Sequence, residues 1–479
     1  MTFSIIGIII CAILLVIGFI LRAPLIVALL SSLALGATTF VEFSAIGRAT
    51  PQIYTLFTLL FILSLAMRKR FIGEFVSVLR ANSTGVLICL LAVYAVGGAI
   101  ILPRMFAGQT TAFIPFNGRI TEVPLAPTSK NITQNAYFLL SAIAFFAFAI
   151  WLRQPLNFTR LKLGFYSFTA LGIVLGLLDL AGKKVGIVDL LAPIRTANYA
   201  LLTDINISTS RFWRIAGGQS EASAYGASSL IGFAFCIVYW HRTGSIPASL
   251  LTFGIFVMLL LSTSATAYAG LAILALFAFW SAIVRLAKGH LRKQDIVFVT
   301  LVSLFSIITL YIYIFQLSII EPYINFIQET IIRKSETASA QERFYWNYRS
   351  ILSVADTYGL GVGLGSSRSS SWIINVIAQL GVVGALLMFF LVVRIFNGVG
   401  SADKIGKNRE IADIASGVRS AAIASMVATS ISGAAAGPSV VFFIALAAID
   451  EAHRQLAMRK PVPKPGDKEV AAATIPASR

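Results

Sequence analysis

The chain has 479 residues, 57% apolar and 12% charged, against roughly 45–50% apolar and about 25% charged in soluble domains. That balance excludes an ordinary water-soluble globule. The formal net charge of +18 raises nucleic acid as a ligand, but in so apolar a chain the surplus of Lys and Arg is assigned to cytoplasmic loops, and no nucleic-acid partner is expected.

Uncharged runs such as FSIIGIIICAILLVIGFIL (3–21) and FVMLLLSTSATAYAGLAILALFAFW (256–280) exceed the roughly 18 residues needed to cross a bilayer as a helix. In chain order the runs predict spans at 3–21, 24–46, 52–67, 84–102, 136–152, 163–181, 222–240, 246–262, 266–285, 296–315, 372–393, 417–432 and 438–450. The fold class is therefore an all-α polytopic integral membrane protein with about 12–13 transmembrane helices. The first run is read as a retained helix, because no Lys or Arg precedes its core and no small-residue cleavage site follows a short apolar region. Cys11, Cys89 and Cys236 all fall inside spans and read as small core residues.

Basic residues set the orientation. Arg68–Arg70, Arg153 with Arg160 and Lys162, His241 with Arg242, Arg285 to Lys293, and Arg394 to Arg409 all follow odd-numbered spans. That side is assigned to the cytoplasm, together with a basic tail, RKPVPKPGDK (459–468). Segments 103–135, 182–221 and 316–371 then lie outside, as does the N-terminus. His241, His290 and His453 all sit on the cytoplasmic side, so no outer imidazole is available as a base or zinc ligand. Ionisable residues within spans are scarce: Glu42 and Asp179 are the main ones, both near outer ends. Ion-coupled carriers usually place such groups at mid-membrane.

Segment 182–221 carries Lys183, Lys184, Arg195, Arg211 and Arg214 on the translocated side. Either long loops cross regardless of charge, or an anionic ligand is held at the outer surface. In 316–371, the stretch QERFYWNYRS (341–350) crowds arginines with aromatics. As a helix over 338–351 it puts Glu342, Trp346 and Arg349 on one face and Arg343 with Asn347 on the next. Its aromatics, including Tyr345, Trp346 and Tyr348, suit a membrane interface or stacking on sugar rings. DTYGLGVGLGSSRSSSW (356–372) follows, a Gly- and Ser-rich loop ahead of a span. Its backbone N–H groups, beside Arg368, are in a position to form an anion nest.

These residues occur in an order that resembles a known family. Arg214, Gly217, Glu221 and Ser223 form Arg-x-x-Gly with Glu-x-Ser; Ser262 and Ser264 form a Ser-x-Ser step between spans. Glu342, Arg343 and Trp346 form Glu-Arg-x-x-Trp, Gly361, Gly363 and Gly365 form Gly-x-Gly-x-Gly, and AQLGVVG (378–384) lies in the next span. The pattern, over 211–393, resembles the bacterial O-antigen polymerase and ligase superfamily, and most closely an exopolysaccharide polymerase. The resemblance implies a C-type membrane glycosyltransferase of the bacterial inner membrane with long periplasmic loops. Such proteins use neither metal nor other cofactor, and transfer glycan from an undecaprenyl-diphosphate carrier to a sugar hydroxyl of another lipid-linked repeat unit. Membrane lipid, a flippase and a chain-length regulator are the further partners it implies. Ligases carry an Arg where Ala265 stands and a His-Asn pair where Ser370 and Ser371 stand, and both departures argue against a ligase.

The resemblance divides the chain into N-terminal helices (1–210), a polymerase-like core (211–393) and last helices with a basic tail (394–479). Arg214 and Arg343, then Arg211 and Arg368, are the expected ligands of the departing diphosphate, because guanidinium groups bind phosphate oxygens bidentately. Glu221, and second Glu342, is the expected base for the acceptor hydroxyl. Tyr345, Trp346 and Tyr348 are the expected sugar or lipid contacts. The competing readings are a flippase or transporter of lipid-linked oligosaccharide, an O-antigen ligase, and a non-catalytic subunit of a secretion complex.

Overall fold

A computed structural model of the chain describes residues 2–43, 49–116, 119–185, 190–197, 214–287, 338–397 and 407–458, with a few positions between 289 and 311. The first half builds α1 (Ile5–Ile20), α2 (Pro24–Ser32), α3 (Ile53–Ala66), α4 (Phe71–Ala81), α5 (Ser83–Met105), α6 (Ser129–Trp151) and α7 (Leu156–Val185). The second builds α8 (Ala222–Thr243), α9 (Ile246–Leu261), α10 (Ala265–Ala287), α11 (Ala338–Asp356), α12 (Trp372–Asn397), α13 (Lys407–Ser432) and α14 (Val440–Met458). Among the described residues, α5, α6, α7, α8, α10, α12 and α13 are long and apolar enough to cross a membrane, and α1, α3 and α9 are shorter apolar helices.

Ile5, Ile9, Val16 and Phe19 on α1, and Leu276, Phe279 and Trp280 on α10, stand exposed. Apolar surface of that extent belongs against lipid. The interior belongs to α14, where every residue from Val440 to Ile449 is buried. A helix apolar all round must be enclosed by others, and α14 packs on α13 and α6.

One expected span changes. Within the span expected at 24–46, residues 24–43 do not form a transmembrane helix: α2 has nine residues, about 14 Å, too short for a bilayer of roughly 30 Å. The chain then folds against residues 194–196, with Thr38 donating to the Ile194 carbonyl (2.7 Å) and the Thr39 amide donating to Thr196 (3.0 Å). The span expected at 296–315 and the tail 459–468 lie outside the described residues, apart from isolated positions of the former.

Two small sheets lie at one end of the bundle. β1 (Thr2–Phe3) pairs antiparallel with β2 (Val41–Glu42). β3 (Thr111–Phe116) and β4 (Arg119–Pro124) form an antiparallel hairpin in the expected outer segment 103–135. α6 runs from Lys130 beside this hairpin to Trp151, about 32 Å away at 1.5 Å per residue. That is close to the hydrocarbon thickness of a bilayer. The hairpin end therefore faces one side of the membrane and Trp151 faces the other.

Candidate functional site

The segment before α8 is held by a buried carboxylate. Asp179, near the end of α7, accepts from Arg195 Nη2 (3.0 Å), Lys183 Nζ (3.2 Å), and the backbone amides of Ala216 (2.7 Å) and Gly217 (3.1 Å). Arg195 also donates to the Gly217 carbonyl (2.8 Å), and Lys183 to the Arg214 carbonyl (2.6 Å). Gly217 has φ +53, and a Cβ there would stand 2.8 Å from the Tyr225 ring, so glycine is required. Two of the cations expected to face a ligand, Lys183 and Arg195, are thus spent on the fold, and what they fix is the backbone of Arg214. Arg211 lies outside the described residues.

Glu221 takes the N-cap position of α8 with an extended backbone, makes no capping hydrogen bond, and accepts from the Ser223 hydroxyl. The Ser-x-Ser turn packs against the same helix: Ser264 is fully buried beside Gly226, its Oγ without a hydrogen-bond partner.

The Gly-rich loop has a different role from the one its composition suggests. Gly359, Gly361, Gly363 and Gly365 all have positive φ, and α12 is broken at Gly381 (φ 62, ψ −168). The loop fills that break. The amides of Val362 and Gly363 donate to the carbonyls of Ala378 (2.9 Å) and Gln379 (3.0 Å), and the Val382 amide donates back to Gly359 (2.8 Å). The Gly361 amide goes to Thr357 Oγ1 (3.1 Å) and the Gly365 amide to Gln379 Oε1 (2.8 Å). The four glycine amides are consumed by the protein and not left for an anion; the loop satisfies backbone groups that a broken helix would leave bare in an apolar setting.

Two buried amide side chains shape the end of this loop. Gln379 donates to the Ser367 carbonyl (2.8 Å), and Asn375 Oδ1 accepts from the Ser369 amide (3.0 Å). Asn131, at the start of α6, donates to the Leu364 carbonyl (2.9 Å) and Ser366 (2.8 Å). Arg368 is thereby carried to the rim of a cavity of about 160 Å³, lined also by Lys130, Gln134, Phe113 and Gln379. A Cβ on Gly365 would lie 2.4 Å from the Lys130 carbonyl oxygen, at φ +86. Gly365→Ala is therefore expected to lower stability by at least about 1–2 kcal/mol and to displace Arg368. Thermal unfolding in detergent measures the first effect, and an unchanged melting point would contradict it.

α11 completes the site. Its neighbouring faces divide the work, as the helical spacing predicted. Tyr345 and Arg349 turn to the hairpin, where both bond Glu122 (2.7 and 3.1 Å) and Arg349 reaches Thr111 (2.8 Å). Burial raises the Glu122 pKa, but the bonds from Thr111, Tyr345 and Arg349 outweigh it and hold this carboxyl below its usual value. Tyr345 and Trp346 also pack on Phe113, with ring centroids 5.9 and 6.4 Å apart. These two aromatics latch α11 to the hairpin, while Tyr348 stays exposed. On the other face, Asn347 accepts from the Ser370 amide (2.9 Å), which ties α11 to the Arg368 loop.

Arg343 shares that second face, and its charge acts on both Arg214 and Arg368. Burial pushes the pKa of each below the usual arginine value, Glu221 opposes the shift, and Arg343 adds to it. Arg214 and Arg368, from distant parts of the chain, thus each feel both Glu221 and Arg343. Lys130 is repelled by Arg368 across the same cavity. The Glu221 carboxylate acts on the guanidinium groups of Arg214 and Arg368, which Arg343 also repels, and Arg214 Nε is buried without a hydrogen-bond partner. The arrangement has a positive surplus with donors to spare, suited to a multiply charged anion. Glu342, the second expected base, is exposed and forms no hydrogen bond or ion pair with this cluster among the described residues.

Motif spacing did not single out Asn375, Gln379 or Lys130, and it marked Asp179 and Arg195 as charges without their pairing. The legible signal was a pair of amides four residues apart in an otherwise apolar span, together with a lone acid near a span's end. No protein-family model matches the chain, and no curated protein matches it. Fold and hydropathy together define a multi-pass helical membrane protein.

Proposed function

We propose that this chain is a polysaccharide polymerase of the inner membrane, transferring glycan from a diphosphate-linked lipid carrier to a hydroxyl of a second lipid-linked repeat unit. The observation supporting this reading is that Arg214 and Arg368, from distant parts of the chain, each feel the charges of both Glu221 and Arg343. The acceptor oxygen attacks the anomeric carbon, its proton passes to Glu221, and the bond from that carbon to the diphosphate oxygen breaks. The departing lipid diphosphate gains charge as it leaves, and fixed guanidinium groups stabilise that charge more than they stabilise the bound donor. A flippase would need a polar path through the bilayer, and ionisable residues at mid-span are scarce in the sequence.

The test supplies the purified protein with an undecaprenyl-diphosphate-linked repeat unit, without metal or other acceptor. Lengthening of glycan on the carrier is the expected result. Product appearing only when lipid A-core is added would replace the polymerase with a ligase, and no product under either condition would favour a transporter. In the same assay Arg343→Lys is expected to lower the rate roughly 10- to 100-fold, the value of charged hydrogen bonds lost when a fork becomes a point charge.

A further inference from the structure

At the opposite end of the bundle lies a second cavity, of about 250 Å³, lined by Arg22, Arg68 and Arg160 over a floor that includes Phe61, Leu65 and Trp151. It is the larger of the two cavities described here, and no Asp or Glu lines it among the described residues. We infer that this cavity binds a phosphate-bearing anion on the inner side of the membrane, a site independent of the glycosyl-transfer reading.

Three features carry the inference. First, the three arginines come from three separate places in the chain: the α1–α2 turn, the end of α3 and the start of α7. Among the described residues the side chains of Arg22 and Arg68 have no hydrogen bond or ion pair. Guanidinium groups that share a concave, partly apolar space repel one another unless an anion joins them. Elsewhere on this side the protein provides partners: Arg242 bonds Asp413 (2.6 Å), and Lys162 bonds Glu410 (3.0 Å).

Second, the site is built. Arg160 donates to Asn157 Oδ1 (3.0 Å), and buried Asn157 donates to the Trp151 carbonyl (2.6 Å). The guanidinium is thus oriented from behind by a fixed amide, with its remaining donors free to turn toward the cavity.

Third, Arg22 occupies a left-handed backbone position, φ 57. The turn there is forced, because Gly18 lies so close to Pro24 that a Cβ would meet the Pro24 backbone at 2.5 Å. Glycine, or asparagine, relieves strain at such a position. An arginine there keeps a charge at the cavity mouth at the expense of backbone comfort, as strained residues at binding sites do.

The floor of Phe61, Leu65 and Trp151 gives the anion an apolar neighbour. Basic pockets between helices on the inner side suit the phosphate of an anionic phospholipid, and a free phosphate shares the same chemistry. The experiment separates the two sources. Delipidated protein is titrated with phosphatidylglycerol, phosphatidylcholine and inorganic phosphate, and occupancy is read by native mass spectrometry. Phosphatidylglycerol is expected to bind about tenfold or more tightly than phosphatidylcholine, whose choline ammonium cancels the phosphate charge and is repelled by the arginines. The Arg22→Gln, Arg68→Gln double variant is expected to erase that ratio. Binding of inorganic phosphate that the double variant abolishes would assign the site to a soluble anion as well. Arg68→Gln alone, whose side chain holds no other part of the chain, gives the same reading at about half the effect should the double variant fold poorly. Equal binding of both lipids with no phosphate binding, or an unchanged ratio in the variants, would overturn the inference.

Discussion

Replacing Glu221 with Gln is expected to lower the polymerisation rate by about 10²–10⁴-fold, the value of a general base, while leaving the protein folded in the membrane. The side chain makes no capping bond on α8, and among the described residues it accepts a hydrogen bond from Ser223. Glutamine keeps the shape and still accepts that bond, so the loss falls on chemistry. Glu342→Gln serves as the contrast. Its side chain is exposed and outside the arginine cluster, and its replacement is expected to change the rate less than about threefold, within the range of surface substitutions. Measuring both variants in the purified assay, with melting points alongside, decides the assignment. Equal losses, or full activity in Glu221→Gln, would remove Glu221 from the role of base.

Asp179→Asn is expected to have the largest effect on stability. Asp179 and Arg195 are 2% and 7% exposed, so the pair is shielded from water. Removing the carboxylate leaves Arg195 buried without its counter-charge, and weakens the acceptor for Lys183 and the amides of Ala216 and Gly217. Breaking a buried pair from one side costs about 3–5 kcal/mol. Activity should fall further than stability alone accounts for, because the Lys183 bond to the Arg214 carbonyl is part of the same network. The double variant Asp179→Asn, Arg195→Met is expected to recover part of the lost stability, since contacting residues are not additive, without recovering activity. Thermal unfolding and hydrogen exchange over 214–221 check both statements. Wild-type melting in Asp179→Asn would show that the network does not hold the segment.

The two networks explain why the site was only partly legible. The motif order singled out Arg214, Glu221 and Arg343, and the Gly-rich loop Arg368; Glu221 and Arg343 both act electrostatically on Arg214 and on Arg368. Spacing within a helix also separated the Arg343–Asn347 face from the face of Arg349. Tyr345 and Trp346, expected to meet sugar or lipid, instead hold the hairpin, because Glu122 and Phe113 come from a segment whose position the sequence of α11 does not specify. That hairpin was in fact readable: two six-residue strands flank Asn-Gly, the dipeptide most favoured in two-residue hairpin links. The glycines at 359–365 were readable as sites of positive φ. Their partner, the break at Gly381, was not, since hydropathy reports only that a span is apolar.

By itself the sequence determined that the chain is helical and built for a membrane, where most spans begin and end, and which side carries the basic loops. Each follows from a local quantity, because the length of an apolar run is matched to the bilayer and a charge beside it is counted where it stands. Only the tertiary structure decided that residues 24–43 turn back instead of crossing, that Arg195 and Lys183 serve Asp179 and not a ligand, and that Arg22, Arg68 and Arg160 meet around one cavity. Those outcomes depend on which groups desolvate one another across long separations in the chain. A buried charge takes whichever partner the packing brings within about 3 Å, and composition carries no record of that choice.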